Sequence, residues 1–322
     1  MKLKKKKQFL FFGRESFKVV DDTIKTKSDI EIGIKDNIIL DFSGGGIRGV
    51  LSAYKGAELE NKYPELSCRV TSVWGASTGA IIGALYNFGM IKDDWDFKKI
   101  LKFYIEKGKY MLEPKWFGGG LFGGAYSNKK LMKMLQDIFK DITLEELYNE
   151  TQVMLNIRIT NITDRKTEVF NCDTNPDCKV WEAVFMSTSA PVFFQTYRYK
   201  NKVYGDGGIS GTYNTNMLYA YWSLVNSGKN IDIKKIKILS FGTGLTKLDK
   251  MGKSKLSQIK WVLGYSSHEA ENYQIAKLKK YEKEYGVKFC RWNIVLKGDT
   301  NMANTDLVDN LLKQIDNKLI IE

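Results

Sequence analysis

The chain has 322 residues, 43% hydrophobic and 27% charged, enough apolar material for one large core or two modest ones and the make-up of a globular enzyme. Lysine and arginine outnumber acidic residues by 50 to 37, so the surface favours phosphate-bearing partners, lipid headgroups or nucleic acid, unless the excess is compositional drift accompanying abundant isoleucine and asparagine. A single histidine excludes a histidine-rich metal site, the scattered Cys68, Cys172, Cys178 and Cys290 lack zinc-site spacings and suit a reducing, cytosolic compartment, and no stretch of about 18 apolar residues is present to span a membrane.

The N-terminal segment, residues 1–30, combines the run Lys4 to Lys7 with the apolar stretch Phe9 to Phe12. That stretch is shorter than the roughly 7–15 residues of a secretory h-region. Asn37 to Phe42 then reads as a buried strand and Ile47 to about Tyr63 as a helix with a polar outer face. The pattern repeats, with a β-branched strand over Arg69 to Trp74, a tight turn over Gly75 to Gly79 and an apolar helix over Ala80 to Phe88. Two consecutive strand–loop–helix units predict an α/β fold, a three-layer sandwich with a mostly parallel central sheet covered by helices on both faces.

From Trp95 to Tyr126 the chain reads as a mobile apolar flap, because Trp116 to Tyr126 is too rich in glycine for a stable helix or central strand. Later strands are expected at Val153 to Thr160, Thr167 to Phe170, Lys202 to Tyr204, Lys237 to Phe241 and Lys288 to Ile294. Helices are expected at Asn128 to Lys140, Val180 to Ser187, Asn216 to Ser227, Gln258 to Tyr285 and Asp306 to Ile320. With no linker rich in proline, glycine and serine, residues 31–322 read as one catalytic domain.

Gly75-Ala-Ser77-Thr-Gly79 is a G-x-S-x-G pattern between a predicted strand and a predicted helix. That is the setting of a nucleophile elbow, in which a sharp turn lifts the serine hydroxyl above the sheet at a helix N-terminus. Gly44-Gly45-Gly46-Ile47-Arg48-Gly49 follows the first strand and opens the first helix, a loop whose N–H groups can converge on an anion. The anion is either a developing acyl oxyanion or the pyrophosphate of a dinucleotide, since Gly44, Gly46 and Gly49 also satisfy G-x-G-x-x-G. A dinucleotide site calls for an acid at the end of the next strand, where this chain has Gly75-Ala-Ser77. The glycines also serve if they only pack a helix against the sheet.

A serine nucleophile needs a base. His268 stands in Ser267-His-Glu-Ala-Glu, the pattern of an exposed helix face, so the better-placed group is Asp206 in Val203-Tyr-Gly-Asp206-Gly-Gly208. A glycine loop, a G-x-S-x-G elbow and Asp-Gly-Gly in that order resemble the patatin-like phospholipases. The resemblance implies a Ser77–Asp206 dyad without histidine and an oxyanion-hole segment at Gly44, Gly45, Gly46 and Arg48. Ser187-Thr-Ser-Ala-Pro191 and Leu239 to Gly244 are similar as well, so the likeness runs from about Asn37 to Gly244. One departure is that the family's loop is commonly preceded by aspartate, whereas this chain has Ser43 there and Asp41 two positions earlier.

The reaction so implied is hydrolysis of fatty acyl esters, with a phospholipid or related acyl lipid as substrate and no cofactor or metal. Peripheral contact with anionic membranes from the cytoplasmic side is expected, through the lysines and the Trp116 to Tyr126 segment, and no nucleic acid partner. A dinucleotide-dependent oxidoreductase and a non-catalytic lipid-binding protein are the rival readings.

Overall fold

In a computed structural model of the chain, residues 31–321 are described apart from 34, 93–94, 112–126, 192, 210–213, 229–230, 247–254, 298–303 and 316–318. The run Asn37-Ile-Ile-Leu-Asp-Phe42 forms β1 (Asn37–Phe42), buried over its last five residues as a strand covered on both faces must be. A 3-10 turn (Gly46–Arg48) leads into α1 (Gly49–Lys62), and β2 (Val70–Ala76) passes through Ser77 alone into α2 (Thr78–Lys92). There follow α3 (Phe97–Met111), α4 (Asn128–Phe139), α5 (Leu144–Thr151), β3 (Met154–Asn161), β4 (Lys166–Phe170), α6 (Val180–Thr188), β5 (Tyr197–Tyr199) and β6 (Lys202–Asp206). The chain continues with α7 (Met217–Val225), β7 (Ile236–Phe241), β8 (Leu245–Thr246), α8 (Lys255–Tyr285), β9 (Lys288–Leu296), α9 (Val308–Ile315) and β10 (Leu319–Ile321).

The described strands form one sheet in the order β10-β9-β7-β1-β2-β3-β6-β5, with β4 also on β3 and β8 on β9. Its centre is parallel, from β9 through β7, β1 and β2 to β3. The antiparallel pairings, β10 with β9 and β4, β5 and β6 around β3, lie toward its margins. Alternation along β1 sends Ile38, Leu40 and Phe42 into one core and Ile39 into another on the opposite face. The first core takes up α1, α2, α3, α6 and α9; the second is closed by Met217, Ala220 and Tyr221 of α7 and Ile275 and Leu278 of α8. Two cores on opposite faces of one sheet make the three-layer α/β sandwich expected, and each buried aliphatic side chain adds about 1.5–3 kcal/mol to it.

Two expectations are corrected. Residues 97–111 are not part of a flap but form α3, because Phe97, Ile100, Tyr104, Gly108 and Met111 recur every three or four residues and bury one face. The rest of the proposed flap, 112–126, lies outside the described residues, as does the basic segment 1–30. The helix expected over Asp306 to Ile320 stops at Ile315, and the β-branched end of the chain becomes β10, paired antiparallel with β9.

Candidate active site

Ser77 is the single residue between β2 and α2, and its φ of 54° puts it in the left-handed region that a side chain seldom occupies. The flanking glycines let the helix start against strand backbone. A Cβ on Gly75 would stand 2.3 Å from Gly79 O, and one on Gly79 would stand 2.0 Å from Phe42 O. Ser77 O accepts the Ala80 N–H at 2.9 Å, so α2 begins on this serine and its positive end faces the hydroxyl. The Ser77 N–H donates to Ser187 Oγ at 2.9 Å, and the Ser187 hydroxyl donates onward to Arg158 O at 2.7 Å.

Strand β3 sets Asp206 beside this elbow. Its Arg158 pairs with Ala76 at the end of β2, and the next residue, Ile159, pairs with Asp206 at the end of β6. Two further backbone bonds hold the position, from Asp206 N to Ser189 O at 3.1 Å and from Gly207 N to Ser187 O at 3.3 Å. Asp206 is 5% exposed, and burial pushes its carboxyl up to about 6, a rise that the Ser77 hydroxyl and the Gly208 N–H hold in check. Gly208 N–H donates to Oδ1 at 2.7 Å, while Oδ2 has no hydrogen-bond partner among the described residues. The result is a partly desolvated carboxylate beside a hydroxyl, with proton-accepting capacity to spare.

The glycine loop closes the other side. A Cβ on Gly44 would lie 3.1 Å from Ser77 Cβ and 2.4 Å from Asn214 Oδ1, so bare backbone passes directly along the serine. Gly44 O accepts Thr243 Oγ1 at 2.7 Å and Asn214 Nδ2 at 3.1 Å, and its N–H is engaged by Asn214 O at 3.3 Å. The N–H groups of Gly45 and Gly46 make no such bond among the described residues. Arg48 is 9% exposed and points back along the loop, Nε to Gly45 O at 3.5 Å, with burial lowering its pKa to about 10. It braces the loop from within.

Every residue singled out from the sequence for this site, Ser77, Asp206, Gly44, Gly45, Gly46, Arg48, Gly75 and Gly79, therefore falls in or against one cluster. His268 does not join it; it is half-buried on α8, with no hydrogen bond or ion pair among the described residues. The supporting residues Ser187, Ser189, Asn214 and Thr243 had no role assigned from sequence. Three of them lie in or just after α6 and β7, in the two stretches noted there only for their likeness.

A family model described as patatin-like phospholipase matches residues 40–219. Over 197 residues the chain is 27% identical to the probable lipid hydrolase 463L of Invertebrate iridescent virus 6, covering 58% of this chain and 65% of that protein. Over 268 residues it is 24% identical to patatin-15 of Solanum tuberosum, covering 70% of this chain and 66% of the patatin. The chain thus spans just under two thirds of the length of these relatives. Among solved structures, VipD from Legionella pneumophila aligns with a TM-score of 0.47 and 14% identity, over 89% of this chain and 68% of that one. Human GIVD cytosolic phospholipase A2 aligns with a TM-score of 0.37 and 13% identity, over 82% and 44%.

Proposed function

The chain belongs to the patatin-like phospholipase family, and from that premise we propose that it hydrolyses fatty acyl esters of membrane phospholipids through a Ser77–Asp206 dyad. The observation that supports the reading is the register of β3, in which Arg158 pairs with Ala76 and the next residue, Ile159, with Asp206, so that the buried carboxylate, raised to about 6, lies level with the strained elbow serine. The name of one relative, probable lipid hydrolase, and the family's description as phospholipase support a lipid substrate.

In this reading the Asp206 carboxylate takes the Ser77 proton as Oγ attacks the ester carbonyl. Negative charge moves to the carbonyl oxygen, where the Gly45 and Gly46 N–H groups and the α2 N-terminus stabilise it without reorganising. As the tetrahedral species collapses, the glycerol oxygen leaves with the proton from Asp206, and the fatty acyl group stays on Ser77. Water then attacks the acyl-enzyme, Asp206 takes its proton and returns it to Ser77 Oγ, and the fatty acid departs. The raised pKa suits the carboxylate to both directions of transfer, since an ordinary aspartate is a weaker base.

Ser77→Ala tests the reading. The variant should fold normally, having lost one hydroxyl, and should lose ester hydrolysis by at least on the order of 10³-fold. Near-normal turnover of phospholipid or short-chain ester by a folded Ser77→Ala protein would end it.

A further inference from the structure

Positive charge is concentrated on α3 and α4. Their 15 and 12 residues hold eight lysines against Glu106 and Asp137, a net of +6 out of the +13 of the whole chain. On the 31 residues of α8, by contrast, six lysines are set against four glutamates. Among the described residues, Lys102 approaches Glu106 at 3.7 Å and Lys109 pairs with Asp306 at 2.7 Å. Among these lysines stand two exposed apolar side chains, Ile105 at 47% and Tyr110 at 41%. Lys130 of α4 lies over the Tyr110 ring at 5.3 Å and joins the two helices into one face.

The inner side of the same helices rests on the site. The Tyr104 hydroxyl bonds the side chain and, at 3.2 Å, the carbonyl of Thr78, the residue after Ser77. Gly108 lies against Ile47 of the glycine turn, where a Cβ would come within 2.5 Å of Cδ1. Asn128 at the start of α4 exchanges two hydrogen bonds with the Gln195 backbone, at 3.0 Å each, just beyond the segment that leaves α6. Whatever the outer face binds is therefore brought to the rim of the site.

Lysines flanking exposed aliphatic and aromatic side chains are the chemistry of interfacial attachment, in which the ammonium groups meet headgroup phosphates and the apolar groups enter the acyl boundary. We propose that the α3–α4 face around Lys102, Ile105, Tyr110, Lys129 and Lys133 seats the protein on an anionic lipid surface, so that substrate reaches Ser77 from the bilayer. The proposal rests on the phospholipid reading above. An exposed aliphatic side chain beside lysines favours a bilayer over nucleic acid.

The test compares the full-length protein with Lys102→Gln/Lys129→Gln/Lys133→Gln and with Lys277→Gln/Lys279→Gln/Lys280→Gln, which removes the same charge from α8. Partitioning is measured on vesicles of phosphatidylcholine with and without phosphatidylserine, and hydrolysis on a soluble short-chain ester. Each lysine beside an anionic leaflet contributes about a fivefold factor, so the first triple variant should weaken binding to phosphatidylserine vesicles by on the order of 10²-fold and leave soluble-ester turnover unchanged. The α8 variant should bind within a few fold of wild type. Equal losses in the two variants, no loss in either, or a wild-type protein that binds RNA but not phosphatidylserine vesicles would overturn the docking face. If the binding difference holds while no ester is hydrolysed, the docking face stands and the proposed reaction falls.

Discussion

Arg291 Nη2 donates to Ser43 Oγ at 2.9 Å, joining β9 to the residue that opens the glycine loop across 248 positions of sequence. The same guanidinium donates from Nη1 to Ser240 Oγ at 2.6 Å and from Nε to Glu271 Oε1 at 2.7 Å. Ser240 Oγ donates in turn to Asp41 Oδ2 at 2.7 Å, and Asp41 also receives the Thr215 hydroxyl at 2.6 Å and the Asn216 N–H at 3.0 Å. The floor of the loop is thus a buried network of two carboxylates and one guanidinium. At position 43, where the family commonly has aspartate, serine supplies a neutral acceptor, and Glu271 of α8 supplies the charge that Arg291 needs.

Removing the guanidinium should be costly, since it strands Glu271 beside a network built for a cation. Arg291→Met is expected to lower unfolding free energy by about 3–5 kcal/mol in urea titration. Arg291→Lys, which keeps the charge but not the fork, should recover part of this. A loss below about 1 kcal/mol for Arg291→Met would show that the network is replaceable by apolar packing.

How much of this was legible in the sequence depends on how each residue acts. Ser77 and Asp206 were readable because their neighbouring glycines are forced by backbone contacts, as at Gly75 against Gly79 and Gly207 against Arg158 O at 2.2 Å. The continuous apolar run of β1 likewise follows from burial on two faces. Helix α3 was obscured by the glycine run that begins at Gly118, although its own apolar spacing is helical. Strands β5, β8 and β10, of three, two and three residues, are too short to show a period. Ser187, Asn214 and Thr243 each work through one or two bonds to backbone, and Arg291 reaches the loop only in three dimensions; neither kind of role leaves a pattern along the chain.

Ser187 braces the elbow through both hydrogen bonds of its hydroxyl. That hydroxyl is at once acceptor for Ser77 N–H and donor to Arg158 O, so Ser187→Ala removes the acceptor of the Ser77 N–H and one bond to the Arg158 carbonyl. The expected cost is about 1–3 kcal/mol of stability. Turnover should fall with little change in KM, because the elbow loses the contact that holds Ser77 in its left-handed conformation. Thermal unfolding and steady-state kinetics on a soluble ester check both parts.

The Asp206 carboxyl, raised from 3.8 to about 6, gives the protein a defined pH response. Only the ionised form accepts the Ser77 proton, so kcat/KM should be flat above about pH 6 and fall about tenfold per unit below it. Stability runs the other way. The folded state holds the Asp206 proton more tightly than the unfolded state, so this group lowers stability as pH rises from 3.8 through about 6 and leaves it reduced above that. Asp206→Asn should therefore unfold at a higher temperature than wild type at pH 7, by up to about 3 kcal/mol of stability, and the two should converge below pH 4. Equal melting temperatures at pH 7 would mean that the carboxylate is solvated in the folded protein.

The identity of the base is decided by pairing that variant with His268→Ala. Asp206→Asn keeps the shape of the side chain and an acceptor for the Gly208 N–H, but an amide cannot take a proton from Ser77 at neutral pH. Turnover should drop by roughly 10²- to 10⁴-fold, the usual contribution of a general base, while the fold remains intact. His268 is half-buried on α8, without a hydrogen bond or ion pair among the described residues, so nothing orients its ring as a triad histidine requires. His268→Ala should leave kcat/KM within a few fold of wild type at every pH, and the inflection near pH 6 should persist in it. Persistence is the sharper readout, because an ordinary histidine titrates close to the same pH, at about 6.5. If the inflection vanished with His268 while Asp206→Asn stayed active, the base would be the imidazole, and the dyad would have to be abandoned.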